Sequence, residues 1–432
     1  MIREEKLVRQ ISATGIWLLA VNGMIGAGIF GVPAGAAALT GIYSPLVFLA
    51  CGLLLMMVVL CFAELSSYFR GTGGPILYIG TAFGKFAGFQ AGWAFYFARA
   101  TAFAANINLL VASIAYFWEP AGDGAIRILL LLVIVFLLTV PNVLGTRHAM
   151  RSIGILTVLK ILPLLVLVIA GLAWLDPAAF PVTATPPPGV LDIGSAVLLV
   201  IYAFVGWEAA VVPAGETRDP ARDMPRALLL AMGVVTLIYV LIQAVAVAVL
   251  PNLAGADSAL IEVGAVLFGP AGAVLLTVGV VISIGGNVAS TMVTAPRLTY
   301  SLAREGSLPA WFGEVHAEHR TPARSIVAFA VLVFLLSLYG GFIWLAAMSS
   351  LVRVLIYMAC IASMPRLRRA FGDAPARFRL PGGWLVPGAA FAVSAALLLQ
   401  TEPASVIVTA GFLLAGSGLY VYVRRKGAKR DA

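Results

Sequence analysis

The sequence predicts an all-α membrane protein of twelve transmembrane helices, and three observations carry that prediction. Only 11% of the 432 residues are charged, and 61% are apolar, against roughly 25% charged in a soluble chain. The apolar residues gather into runs long enough to cross a ~30 Å hydrocarbon layer as helices. Lysine and arginine concentrate in every second connection between those runs. This composition excludes a soluble enzyme, a disordered chain, a secreted disulfide scaffold and a nucleic-acid binder.

Taken in order, residues 1–12 are polar and mixed in charge, so no cleavable signal peptide is expected. The first span, 13–38, is broken by Gly23, Gly26, Gly28 and Gly31 and then by Pro33. The second, 43–68, ends near Glu64, which reads as a helix-end carboxylate in a local pair with Arg70. The third, 86–117, carries Arg99, and the fourth, 126–144, begins beside Arg127. In the fifth, 152–175, Lys160 lies nine residues after Arg151, so roughly 13 Å into the membrane by helical rise. The sixth, 193–214, has its own interruption, Phe204-Val205-Gly206-Trp207-Glu208, followed by Pro213 and Gly215. The seventh is 226–250; the eighth, 269–302, holds Arg297 where a long side chain can reach the headgroups. Gly340 and Gly341 alone separate the ninth, 325–340, from the tenth, 342–363, which carries Arg353. The last two, 384–400 and 404–423, precede a basic tail, 424–432.

Charge counting tests this order. With the N-terminus in the cytoplasm and the loops alternating, the cytoplasmic side holds 23 Lys/Arg and the opposite side only Arg127. That asymmetry is the positive-inside rule, and it places both termini in the cytoplasm of a cell with its cytoplasmic membrane around this chain. The net +9 is therefore topology. Cys51, Cys61 and Cys360 all fall within spans and read as small buried hydrophobes.

The two interruptions correspond. Gly26 and Gly206 lie 180 residues and five spans apart, and an odd offset gives the two halves opposite orientations. Paired, broken spans in corresponding positions point to an inverted-repeat transporter with its site at the midplane. Unwound backbone frees groups that lipid cannot satisfy, so each break must face protein or a wet cavity. Amides at a half-helix start attract a carboxylate and carbonyls at a half-helix end attract an ammonium. A zwitterionic amino acid offers both. Glycines in membrane helices also serve close packing, and Gly31/Gly35 has the spacing for that role.

Six ionisable residues sit inside spans, and an intramembrane charge is a functional hypothesis by default. Glu64 and Arg297, near span ends, read as structural. Glu208, at the second break, needs a partner or a proton. Lys160, a desolvated amine, is suited to proton exchange. Arg99 and Arg353 stay charged and must meet Glu208, backbone carbonyls or an anionic group of a substrate. Tyr202 shares a helix face with the second break, as an aromatic gate or as packing. There is no phosphate-binding loop, and Gly23 to Gly28 has no preceding strand, so no nucleotide or other cofactor is expected. His316 and His319 are a weak metal signal in a loop, and no metal site is expected. With no intramembrane histidine or serine–base pair legible, an enzyme is not expected.

Asn22-Gly-Met-Ile-Gly-Ala-Gly-Ile-Phe30 followed by Pro33 resembles the span 1 motif of the amino acid–polyamine–organocation (APC) superfamily. Ala203-Phe-Val-Gly-Trp-Glu-Ala209, continuing through Glu216, Pro220, Arg222 and Pro225-Arg226, resembles its span 6 and the loop beyond. Gly73-Gly74-Pro75 with Tyr78, and Ala303-Arg304-Glu305-Gly306 with Leu308-Pro309, resemble its loops after spans 2 and 8. The resemblance implies an amino acid permease with a LeuT-type fold. Two inverted five-helix repeats, 13–175 and 193–364, would be followed by two further helices, 384–423.

It also implies that the substrate carboxylate binds at Ile25, Gly26, Ala27 and Gly28, and the ammonium at Phe204, Val205 and Gly206. Tyr202 matches the gate. Lys160 matches a span 5 lysine of proton-coupled members, standing where sodium binds in sodium-coupled relatives, so protons are expected as partners and sodium is not. With Glu208 as the sole acid expected at the cavity, cationic substrates are disfavoured. Arg99 and Arg353 border the site, and neutral side chains rank first because one arginine can neutralise Glu208. Exchange, of anionic amino acids among others, is the alternative, and a binding sensor without flux the second. No residue pattern marks a partner subunit.

Overall fold

A computed structural model describes residues 12–69, 74–144, 153–175, 186–211, 217, 220–371, 378–380 and 382–428. Residues 1–11, Arg70, Gly73, the Arg147–Arg151 loop, Pro213, Gly215, Glu216, Arg218, Arg377 and the tail beyond Ala428 lie outside the described residues. Every regular element described is a helix, and seven helical stretches are long and apolar enough to cross a membrane.

The first span is two helices, α1 (Ala13–Met24) and α2 (Gly28–Thr40), with residues 25–27 between them. The Ser12 hydroxyl caps α1 by accepting from the Gly15 N–H at 3.3 Å. A 3-10 turn, Gly41–Tyr43, reverses the chain into α3 (Ser44–Tyr68). A short α4 (Pro75–Phe83) leads into α5 (Lys85–Ala115), and α6 (Gly124–Leu144) and α7 (Ile153–Gly171) follow. The sixth span stops at the end of α8 (Val190–Phe204) and resumes as a 3-10 turn, Trp207–Ala210. Next come α9 (Pro220–Val249), a short α10 (Ala259–Phe268) and α11 (Pro270–Arg304). The chain closes with α12 (Ala323–Tyr339), α13 (Phe342–Phe371), α14 (Leu385–Leu398) and α15 (Pro403–Ala428).

The expected spans agree with these helices to within a few residues, except that α13 runs about two turns beyond the predicted end at 363 and α9 starts six residues early. Two helices were not foreseen, α4 and α10, both too short for a crossing. They are built alike. Each joins the following long helix through one glycine at positive φ, Gly84 (φ 93°) and Gly269 (φ 65°), a conformation that disfavours any side chain. Each also meets that helix glycine to glycine: a Cβ on Gly88 would come within 2.9 Å of Gly80 Cα, and one on Gly272 within 2.0 Å of Gly264 O.

Helices α3, α5 and α13 are the richest in buried side chains, while α6 and α15 face outward with Leu132, Phe136 and Leu137, or Ile407 and Leu414, exposed. Such apolar outer faces suit lipid rather than water. The outer α15 is fastened to α5 by polar bonds, Trp93 Nε1 to Phe412 O at 2.8 Å and Gln90 Nε2 to Ser417 Oγ at 2.5 Å. Cys51, Cys61 and Cys360 are buried and free. Arg297 is exposed and donates to the Val293 carbonyl of its own helix.

Arg70, the expected local partner of Glu64, lies outside the described residues; among those described, Glu64 has a long-range partner. The Glu64 carboxylate, 1% exposed, receives Arg368 Nε at 2.7 Å and Nη2 at 2.9 Å from the extended end of α13. It also accepts the Tyr68 hydroxyl at 2.7 Å and the Leu380 N–H at 2.9 Å. Four donors on one carboxylate tie α3, α13 and the segment before α14 together. Glu64→Ala leaves a guanidinium and an amide without their acceptor, and it is expected to lower stability by about 2 kcal/mol. Thermal unfolding in detergent checks this; an unchanged midpoint would mean that water replaces the carboxylate without cost.

Candidate functional site

The two interruptions abut. A Cβ on Gly23 would lie 2.2 Å from Gly206 O, and one on Gly206 would lie 2.2 Å from Gly23 O. A Cβ on Gly28 would lie 2.4 Å from Ala203 Cα. Main chain therefore rests on main chain, and only glycine permits that approach. Gly206 also adopts φ 113°, which ends α8 and turns the chain into the 3-10 segment.

At the first break, Ile25 is extended and its N–H closes the last turn of α1 on Val21 O at 2.9 Å. The amides of Gly26, Ala27, Gly28 and Ile29 make no hydrogen bond among the described residues, whereas those of Phe30 and Gly31 return to Ala27 O. At the second break, Val205 N–H reaches Ile201 O, and Gly206 N–H is diverted to Glu208 Oε2 at 2.7 Å. The carbonyls of Tyr202, Ala203 and Phe204 are left without a backbone partner among the described residues. Free amides and free carbonyls are thus brought to one place, next to a cavity of about 140 Å3.

Of the residues singled out from the sequence, Gly26, Ala27, Gly28, Arg99, Tyr202, Val205, Gly206, Glu208 and Arg353 line that cavity. Ile25, Phe204 and Lys160 do not. The Phe204 ring packs away from it against Phe48 and Tyr239, with centroids 6.5 and 5.1 Å apart. Ile25 is fully buried and turns its carbonyl toward Lys160 Nζ at 3.3 Å and Ser283 Oγ at 3.4 Å. Lys160, 1% exposed, stands behind the break, and its amine also reaches Asn22 Oδ1 at 2.9 Å and Asn22 O at 3.4 Å. An ammonium has three hydrogens, and three acceptors on the last turn of α1 surround it.

Tyr202 donates its hydroxyl to Asn106 Oδ1 at 2.5 Å and shares it with Ala102 O at 3.0 Å, which holds the ring against α5. Its ring and that of Phe342 form a T-shaped pair with centroids 5.7 Å apart. Glu208 and Arg353, 1% and 5% exposed, are partners: Nε lies 3.3 Å from Oε1, within ion-pair range but off the line of a hydrogen bond. The same Oε1 accepts the Tyr357 hydroxyl. Arg353 Nη1 donates to Ala98 O at 3.2 Å and to the Ser349 hydroxyl and carbonyl. Arg99 takes a different course. It donates Nη1 to Thr294 Oγ1 at 2.5 Å and lies over the Phe95 ring at 5.0 Å, with no carboxylate at ion-pair distance among the described residues.

Sequence reasoning assigned no role to the neutral polar wall. Asn22, Asn106, Asn287, Ser290, Thr291 and Thr294 also line the cavity. An amide or hydroxyl within a membrane span is itself a signal, since hydrocarbon cannot satisfy it, but a search restricted to ionisable groups passes over it.

Residues 11–422 match the family described as amino acid permease. The chain is 26% identical to the branched-chain amino acid permease BcaP of Bacillus subtilis (strain 168), over 99% of this chain and 95% of that protein. It is 25% identical to the serine/threonine exchanger SteT of the same organism, over 98% of each. A methylthioribose transporter, also of that organism, is 27% identical over 89% of this chain and 87% of its own length. Relatives at nearly equal identity carry different cargoes by name, so identity alone selects none of them.

Proposed function

Because the chain belongs to the amino acid permease family, we propose that it is a secondary active transporter that carries an α-amino acid across the cytoplasmic membrane by alternating access, coupled to protons through Lys160. Twelve crossings in two inverted repeats, 13–175 and 193–364, followed by 384–423, with both termini in the cytoplasm, belong to this reading. The matching glycine joints of α4–α5 and α10–α11, five spans apart, support the repeat.

The observation that carries the reading is the meeting of two broken helices at one cavity. The unbonded amides at the start of α2 suit the substrate carboxylate, reinforced by the helix dipole. The unbonded carbonyls at the end of α8 suit its ammonium. This clamp reads only the head group that all α-amino acids share. The cavity's acid, Glu208, is already held by Arg353, Tyr357 and Gly206 N–H, so a cationic side chain finds no free counter-charge. Tyr202 closes over the bound substrate, and spans 1, 2, 6 and 7 rock against the others.

Lys160 supplies the coupling. Protonated, it satisfies three acceptors on the end of α1 with three hydrogens. Deprotonated, it has two hydrogens and a lone pair that repels one of those oxygens, which loosens the half-helix bearing half the clamp. A tethered cation there also leaves no reason to invoke sodium.

Uptake of a labelled amino acid panel into proteoliposomes, with pH and sodium gradients varied separately, tests the reading. Accumulation should follow the proton gradient. Lys160→Ala is expected to cut gradient-driven accumulation at least tenfold while substrate counterflow persists. Sodium-driven uptake that ignores pH would sink the Lys160 assignment, and ligand-induced thermal stabilisation with no flux would favour a sensor.

A further inference from the structure

Arg99 is a permanent cation whose capacity is almost unspent. Of its five N–H groups, the structure uses Nη1, on the Thr294 hydroxyl. That hydroxyl in turn donates to Ser290 O at 2.9 Å, so its single proton is committed and it acts toward Arg99 as an acceptor. The remaining donors belong to a guanidinium on the cavity wall, flanked by the Phe95 ring.

The charges of that wall do not cancel. Arg353 and Glu208 neutralise each other. Arg99 is left over: the single charge of Glu208 is already matched by Arg353, and among the described residues no carboxylate lies at ion-pair distance from Arg99. A zwitterionic head group adds no net charge. A substrate with an apolar side chain would strip water from the guanidinium and return nothing, which is costly for any buried charge. A side-chain carboxylate offers two oxygens to a planar fork and cancels the surplus charge in one contact.

We propose that Arg99 is a specificity-determining residue that receives a second anionic group, so that the cargo is an amino acid whose side chain ends in a carboxylate. The inference rests on the reading of the cavity as the substrate site. It reverses the ranking that the sequence suggests, because the pairing that frees the site of Glu208 consumes Arg353 and leaves Arg99 unanswered.

The test compares L-glutamate with L-glutamine and L-aspartate with L-asparagine, with L-leucine as the apolar control, at neutral pH. Thermal stabilisation of the purified protein gives apparent affinities, and counterflow in proteoliposomes gives transport. One acid is expected to bind at least tenfold more tightly than its amide, with leucine weaker still. Arg99→Gln should collapse that acid-over-amide ratio toward one, and Arg99→Lys should retain part of it. Amide or leucine binding equal to or better than the acids overturns the proposal while leaving amino acid transport standing. So does a loss in Arg99→Gln that falls equally on acid and amide, since the residue would then act on the transport cycle and not on the cargo. No stabilisation or flux with any α-amino acid overturns the transport reading and this proposal with it.

Discussion

Gly206→Ala is expected to abolish transport, with a loss of about a hundredfold or more, and to lower the thermal midpoint. Two costs combine. At φ 113° a side chain adds roughly 1–3 kcal/mol of backbone strain. The new methyl also falls 2.2 Å from Gly23 O and 2.5 Å from Gly23 C, atoms of a backbone that cannot rotate aside. Gly23→Ala separates the two, because Gly23 lies within α1 and meets only the steric cost, with Gly206 O at 2.2 Å. It should therefore be nearly as damaging to transport. Gly411→Ala, on α15 with nothing within 4 Å of its added carbon, is the control and should transport normally. Counterflow in proteoliposomes reads all three, and normal counterflow by Gly206→Ala would show that the close approach of the breaks is not needed for the cycle.

Glu208→Gln is the second large effect. It leaves the Arg353 guanidinium buried beside a neutral amide, and breaking one partner of a buried pair costs about 3–5 kcal/mol. Arg353→Met, which strands the carboxylate instead, should cost a similar amount. Because each loss is the penalty of an unpaired charge, the double substitution should recover at least half of their sum. Chemical denaturation in detergent measures the cycle. Strict additivity of the two would mean that the groups stabilise the protein independently, contrary to their 3.3 Å approach. Some loss of transport will remain in the double variant, since Gly206 N–H depends on Glu208 to hold the break open.

Much of this was legible before any coordinates. Apolar runs bounded by charge mark helices in a membrane protein to within a few residues, because crossing length and hydration leave little freedom. The breaks at 25–27 and 205–206 follow from glycine placement, and eight of the ten residues named for substrate contact line the cavity. What escaped is what depends on pairing across the chain. Glu64 and Arg368 are 304 positions apart, so a search near Glu64 does not reach this partner. The choice of Arg353 over Arg99 as the partner of Glu208 depends on how α5 and α13 are rotated, and no local pattern encodes that. Ile25 and Phe204 belong to the interruptions in sequence, yet helical geometry turns their side chains away from the opening. The short α4 and α10 have no periodic run long enough to distinguish them from loop.

The contact of Gly23 with Gly206 has a consequence for how such a protein diversifies. On the proposed reading the head-group clamp is made of peptide groups, so it has no side chains to exchange, and any side chain added at Gly23 or Gly206 collides with main chain. The wall formed by α5, α11 and α13 is under no such restriction. Exchanging an arginine, an asparagine or a threonine on it resets the partner that the cargo's side chain meets and leaves the head-group clamp untouched. On that reading recognition divides into a half held by main chain and a half held by side chains, and a new cargo can be acquired by exchanging the second while the first still binds the amino acid head group.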